Sequence, residues 1–167
     1  MIVQSFAPIA APDAKILILG SMPGVASLDA DQYYAHPRNA FWSIMGEIFD
    51  AGWDKPYAER QNILKSKGVA VWDVLKLCQR EGSLDSNIKA EIPNDFADFF
   101  AAHPNIRCIA LNGAKAAKSF AKHAGSLAPD AAATFPLPST SPAHASMSVA
   151  AKCARWRAAL LDFTHSS

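Results

Sequence analysis

The amino-acid sequence predicts an α/β fold, a three-layer α/β/α sandwich around a central, mainly parallel, four-stranded sheet. Three observations carry that expectation. Short apolar runs alternate with segments of helical periodicity along the chain. The clearest of these runs are continuously apolar rather than alternating, as strands covered on both faces are. The chain has 167 residues, 50% of them apolar, which is enough for one substantial core, and no linker or internal repeat marks a second unit. A single domain over 1–167 is expected.

The elements follow in order. Lys15 to Gly20 (KILILG) is a buried strand ending in glycine. Ser21 to Arg38 is rich in Gly, Pro, Ser and Asp without a sustained period, and reads as a long loop of the kind that is usually functional. Asn39 to Phe49 carries Phe41, Trp42, Ile44, Met45, Ile48 and Phe49 at helical spacing. Tyr57 to Lys67 is a further helix, stopped by Gly68. Val69 to Val74 (VAVWDV) is the second strand. Glu91 to His103, entered through Pro93, reads as a helix containing Phe96, Phe99 and Phe100. Arg107 to Leu111 is the third strand, leading through Asn112-Gly113 into a helix over Ala114 to Lys122. Ala131 to Leu137 is a weaker fourth strand, and the last helix lies within Ser146 to Phe163 with Trp156, Leu160 and Leu161 on its buried side.

Composition excludes several classes. The balance of 50% apolar and 19% charged residues rules out a disordered, collagenous or coiled-coil chain. No run approaches the roughly eighteen apolar residues of a membrane-spanning helix, and no basic segment precedes the N-terminal apolar stretch as in a secretory signal. Cys78, Cys108 and Cys153 are odd in number and far apart, which argues against a disulfide framework or a metal site and for a reducing cytoplasm. The net charge of +1 neither announces nor excludes a nucleic-acid partner. Between Lys115 and Arg157 there are six basic residues and one acid, Asp130, which fit either solvated helix faces or a phosphate-facing patch.

In such sheets ligands sit beyond the carboxyl ends of the strands, and polar or small residues follow each of the four. Gly20-Ser21-Met22-Pro23-Gly24 allows a tight turn and close backbone approach, yet is neither a Walker loop nor a dinucleotide fingerprint. Tyr33 to Trp42 (YYAHPRNAFW) leads an aromatic pair, a basic residue and an amide into a helix. Tyr34 can stack on a planar base, and Asn39 can orient a water or cap the helix. Phe41 and Trp42 read as core. In Leu137 to Ala145 (LPSTSPAHA), Ser139, Thr140 and Ser141 supply three hydroxyls suited to a phosphate oxygen, while Ser141-Pro142 also fits a helix cap followed by N1. Asp73 after the second strand reads chiefly as structural. Asn112 can reach a ligand or belong to an Asn-Gly turn. His36 can shape its loop or take part in chemistry, and His103, His123 and His165 fall at helix ends or the tail, where solvent exposure is the default. A nucleophile elbow is absent.

In combination, GSMPG, then YYAHPRNAFW, then PSTSPA resemble the uracil-DNA glycosylase superfamily, and within it most closely the hypoxanthine-DNA glycosylase (DNA-deoxyinosine glycosylase) family. The resemblance runs from about Lys15 to Leu161 and includes VWDVLKLCQREGSLDSNI. Met22 stands where other branches of the superfamily carry a catalytic asparagine or aspartate, and the histidine of the uracil-specific HPSPL motif is replaced by hydroxyls. In the hypoxanthine family the essential amide is the asparagine of HPxNxFW, which is Asn39 here.

The resemblance therefore implies a monofunctional enzyme that hydrolyses the N-glycosidic bond of a deaminated base in DNA, hypoxanthine first, and leaves an abasic site. It implies Asn39 as the catalytic residue. Gly20, Ser21, Met22, Pro23, Gly24, Tyr34 and Asn112 would contact the base, and Ser139, Thr140, Ser141, Ala143 and His144 the DNA. Ala143 stands where related enzymes insert a larger wedge residue. The implied partner is damaged DNA, with no cofactor, no metal and no membrane, for a monomer in the cytoplasm associated with the nucleoid. The alternatives are a uracil-, mismatch- or xanthine-directed glycosylase, a catalytically silent DNA-binding module, and a small-molecule hydrolase on a similar sheet.

Overall fold

A computed structural model describes residues 1–164 of the chain. Its centre is a four-stranded parallel sheet built from β2 (Ile16–Gly20), β3 (Val69–Asp73), β6 (Cys108–Asn112) and β7 (Ala133–Leu137), in the spatial order β3-β2-β6-β7. Every residue of β2, β3 and β6 is buried, which is why these strands read as unbroken apolar runs. Alternate side chains pass to opposite faces. Ile16, Ile18, Val69, Val71, Cys108 and Ala110 meet α2 (Phe41–Phe49), α3 (Tyr57–Ser66) and α6 (Val149–Leu160) through Phe41, Trp42, Leu64, Trp156 and Leu160. Leu17, Leu19, Ala70, Trp72, Ile109 and Leu111 meet α4 (Phe96–Ala102) and α5 (Ala114–His123) through Phe96, Phe99, Phe100 and Phe120. The three layers and the parallel sheet match the expectation.

Four local expectations are corrected. The segment 21–38 is not all loop, since α1 (Val25–Ala30) forms within it, a six-residue helix started at Gly24 without a side-chain cap. A second, antiparallel sheet is formed by β1 (Ile2–Gln4), β4 (Leu75–Gln79) and β5 (Lys89–Pro93) in the order β1-β4-β5. Pro93 therefore ends a strand rather than entering a helix. The helix begins at Phe96, where Asp95 accepts the Asp98 N–H at 3.0 Å. The cap of α6 is Ser148, which accepts the Ala151 N–H at 3.1 Å, and Ser141-Pro142 instead starts a turn seven residues earlier. Leu161 is exposed, while Trp156 and Leu160 are fully buried.

Glu91 on β5 gathers Lys115, Ser119 and His123 from α5, so Lys115 and His123 are half-buried rather than solvated; Lys118 and Lys122 are exposed. His103 is half-buried and stacked on Phe99. His165 lies outside the described residues. Among the described residues no helix is long and apolar enough to cross a membrane, and no cluster of His, Cys, Asp and Glu is arranged to hold a metal ion.

Candidate active site

A cavity of about 550 Å³ opens beyond the carboxyl ends of β2, β3 and β6. Its wall contains every candidate residue named from the sequence: Gly20, Ser21, Met22, Pro23, Gly24, Tyr34, Asn39, Asn112, Ser139, Thr140, Ser141, Ala143 and His144. It also contains His36, Asp73, Asp85 and Lys115.

The loop after β2 is held from both sides. The carbonyls of Gly20 and Ser21 accept N–H bonds from Val74 at 2.8 Å and Leu75 at 3.2 Å. The Ser21 hydroxyl donates to Asp85 Oδ1 at 2.7 Å, and Arg80 Nη2 donates to the Pro23 carbonyl at 2.6 Å. The Ser83 hydroxyl accepts the Val25 N–H at 2.9 Å. The segment 80–85, which the sequence left without a role, thus fixes the glycine-rich loop. Met22 is buried and belongs to the core while its edge lines the cavity.

Tyr34 has a positive φ of 55°, which is costly for a non-glycine residue and is found where the surroundings over-determine it. Those surroundings are visible. Tyr33 donates its N–H to the Tyr57 hydroxyl at 2.9 Å, its carbonyl accepts from Trp42 Nε1 at 2.8 Å, and the Ala35 N–H donates to the Ser27 hydroxyl at 3.0 Å. The Tyr34 ring lies on Phe41, centroids 4.0 Å apart and planes 20° apart, with Phe41 fully buried behind it. Burial, and next the Asp73 carboxyl, raise the Tyr34 phenol well above its ordinary value.

Asn39 accepts the Phe41 N–H on Oδ1 at 2.9 Å, so its carboxamide is fixed by the first residue of α2. Its own N–H donates to the His36 carbonyl at 2.9 Å. The neighbouring Ala40 N–H donates to the Thr140 carbonyl at 2.9 Å, which ties this segment to the hydroxyl-rich loop. A carbonyl oxygen has a second lone pair, which leaves Oδ1 a position for a water proton.

The loop after β7 caps itself. The hydroxyl of Ser139 accepts the Ser141 N–H at 3.1 Å and that of Ser141 accepts the Ala143 N–H at 3.2 Å, so both keep their hydroxyl protons for an acceptor outside. Thr140 is held by Asn112, whose Nδ2 donates to Thr140 Oγ1 at 3.0 Å and whose Oδ1 accepts the Thr140 N–H at 3.0 Å. Asn112 is thus the brace of this loop, and any contact to a ligand would use its second Nδ2 hydrogen. Ala143 and His144 are exposed at the rim.

Asp73 occupies the centre, only 3% exposed. Burial, aided by the Asp85 carboxylate and opposed by Arg80, pushes its carboxyl up to about 7. Sequence reasoning gave it a structural role, because its environment is made by residues distant in the chain. The strand register sets it beside Gly20. A Cβ at Gly20 would lie 2.6 Å from Asp73 Oδ1 and 2.8 Å from the Tyr34 hydroxyl oxygen. Gly20→Ala is therefore expected to fold with a loss of about 1–3 kcal/mol, seen by urea denaturation. It should displace both polar heads and lower activity by more than about tenfold.

Comparison with known proteins places these features. A family model described as the uracil DNA glycosylase superfamily matches residues 7–164. A protein named hypoxanthine DNA glycosylase from Methanosarcina barkeri is 39% identical over 113 residues, covering 67% of this chain and 72% of that protein. One of the same name from Methanosarcina acetivorans is 38% identical over 117 residues, covering 70% and 74%. A solution NMR structure from M. acetivorans, provisionally assigned as a uracil DNA glycosylase, superposes with a TM-score of 0.83 at 34% identity, covering 99% of this chain and 100% of that one.

Proposed function

Because the chain belongs to the uracil DNA glycosylase superfamily, we propose that it is a DNA glycosylase that hydrolyses the N-glycosidic bond of deoxyinosine and leaves an abasic site. The observation that carries the reading is the meeting of Asn39, Tyr34 and the Ser139–Ser141 hydroxyls around one cavity at the end of a parallel sheet.

The base must leave the helical stack to be reached, at a cost of roughly a few kcal/mol that is smallest for a weakened pair. Once in the cavity it lies against Tyr34, whose ring is prevented from yielding by Phe41 behind it. The hydroxyls of Ser139 and Ser141 donate to flanking phosphate oxygens, with Ala143 and His144 at the duplex-facing rim. Asn39 Oδ1 accepts a hydrogen bond from the attacking water and directs its oxygen to the anomeric carbon. The bond from that carbon to the purine nitrogen breaks, the electron pair leaves with the base, and the water's proton is released to the base or solvent. The same carboxamide oxygen faces the positive charge that develops on the sugar, an electrostatic role of the kind worth about 10²–10³ in rate. No cofactor is required, and a monomer acting in the cytoplasm with the nucleoid completes the proposal.

The test is alkaline strand cleavage of labelled duplexes carrying one deoxyinosine, deoxyxanthosine or deoxyuridine. Release from deoxyinosine at least about tenfold faster than from deoxyuridine is expected, since hydroxyls replace the uracil-directed histidine. Preference for deoxyuridine would overturn the substrate assignment while leaving the reaction class. DNA binding without release from any duplex would leave a silent binding module.

A further inference from the structure

Two buried polar atoms in this cavity lack a well-formed hydrogen bond among the described residues: Asp73 Oδ2, and the Tyr34 hydroxyl, which has only the Asn112 carboxamide near it. Buried polar groups are nearly always paired, so two that converge on one cavity mark the place where a ligand supplies the missing partners. Their convergence is fixed by Gly20, which has no side chain to separate them. The main chain of Asp73 is already engaged, its carbonyl accepting Asn94 Nδ2 at 2.8 Å, so the carboxyl is not needed to hold the strand. No hydrogen bond or ion pair joins Arg80 to it: Nε and Nη2 donate to the carbonyls of Gly82 and Pro23, and the buried Nη1 has no partner among the described residues.

Resting on the reading of the cavity as a hypoxanthine site, we propose that Asp73 acts as a neutral carboxylic acid that reads the lactam edge of the everted base. Its hydroxyl donates to O6 and its carbonyl accepts from N1–H, with the Tyr34 hydroxyl beside it. A carboxylate could not do this, because it has acceptors only and would face the O6 lone pairs. The titratable groups around it are Tyr33 and Tyr34 from the loop before α2, Asp85 from the turn at 85–87 and Arg80 after β4, of which Asp85 and Arg80 act on its charge. The buried surroundings and Asp85 favour the acid form and Arg80 opposes it, so the acid form persists to near neutrality. Asp73 would thus be a specificity-determining residue whose ionisation ends activity on the alkaline side.

The experiment compares wild type, Asp73→Asn and Asp73→Leu in single-turnover base release from a deoxyinosine duplex, from about pH 5.5 to about pH 9, with folding followed by circular dichroism. Wild type should fall about tenfold per pH unit above about pH 7. Asp73→Asn, whose amide also donates and accepts, should be somewhat slower at pH 6 but lose that limb. Asp73→Leu should remain folded and lose on the order of 10²-fold. An alkaline limb unchanged in Asp73→Asn, or an active Asp73→Leu, overturns the proposal. The substrate reading fails separately: if wild type releases only uracil or xanthine, which carry the same lactam group, the pH comparison is made on that duplex and decides the Asp73 role alone. Titration of free hypoxanthine by calorimetry gives a readout without chemistry. Binding by wild type should weaken by about fivefold from pH 7 to pH 8 and stay level in Asp73→Asn. Wild type that neither releases any base nor binds hypoxanthine overturns both readings.

Discussion

Asn39→Ala is expected to slow base release from a deoxyinosine duplex by at least about 10²–10³-fold at saturating enzyme, with DNA binding changed little. The size follows from what alanine removes. Oδ1 is the atom fixed by the Phe41 N–H, and in the proposed mechanism it accepts a hydrogen bond from the water and faces the cationic sugar. Structural damage is separable: the N-cap of α2 is Ala40, not Asn39 as the sequence allowed, and the lost bond is one side-chain contact to the Phe41 N–H worth about 1 kcal/mol by denaturation. Asn39→Asp divides the two effects further: the carboxylate keeps an acceptor for the Phe41 N–H and should restore the melting midpoint while recovering part of the rate. A fall of less than about tenfold in Asn39→Ala would remove Asn39 from the chemistry. The hydroxyl-rich loop is tied to the same segment through the Ala40 N–H and Thr140 carbonyl, so the DNA-binding control must be measured on the variant itself.

The central sheet was legible because β2, β3 and β6 are covered on both faces and carry no polar interruption before their last residues. The second sheet was not, for a physical reason. In β4, LKLCQ buries Leu75 and Cys78 but exposes Lys76 and Gln79, and β5 carries Lys89, Glu91 and Pro93 as a largely exposed edge. Neither has enough apolar content to stand out from a loop, and Pro93 fits a helix start as well as a strand end. The six residues of α1 are too few to establish a period, and Ser27, its buried residue, is polar. The site divides in the same way. Asn39, Tyr34 and the hydroxyl run lie in compact motifs, so a resemblance could point to them. Asn112 and Asp73 take their meaning from partners distant in sequence: Thr140 for the first, and Gly20, Tyr34 and Asp85 for the second. Only strand register and loop docking bring those partners together.

Asp73→Asn is also expected to be the more stable protein above neutrality, and this follows from burial whatever the cavity binds. The carboxyl has an ordinary value near 3.8 in the unfolded chain and about 7 in the folded one, so between those values the folded state holds the proton that the unfolded state has released. Wild-type stability should therefore fall as pH rises through that window and stay reduced above it. The asparagine variant lacks this dependence. Between about pH 4 and pH 8 the stability difference should move in favour of the variant by an amount on the order of 4 kcal/mol, measured by urea unfolding at several pH values. A difference that stays constant with pH would mean that the carboxyl is ionised in the folded state, and the proposed neutral contact with the base would fall with it. If the difference moves as expected, the chain keeps a destabilising acid where an isosteric amide would fold better. Such a position is best explained by work done on a ligand, since stability alone would have favoured its replacement.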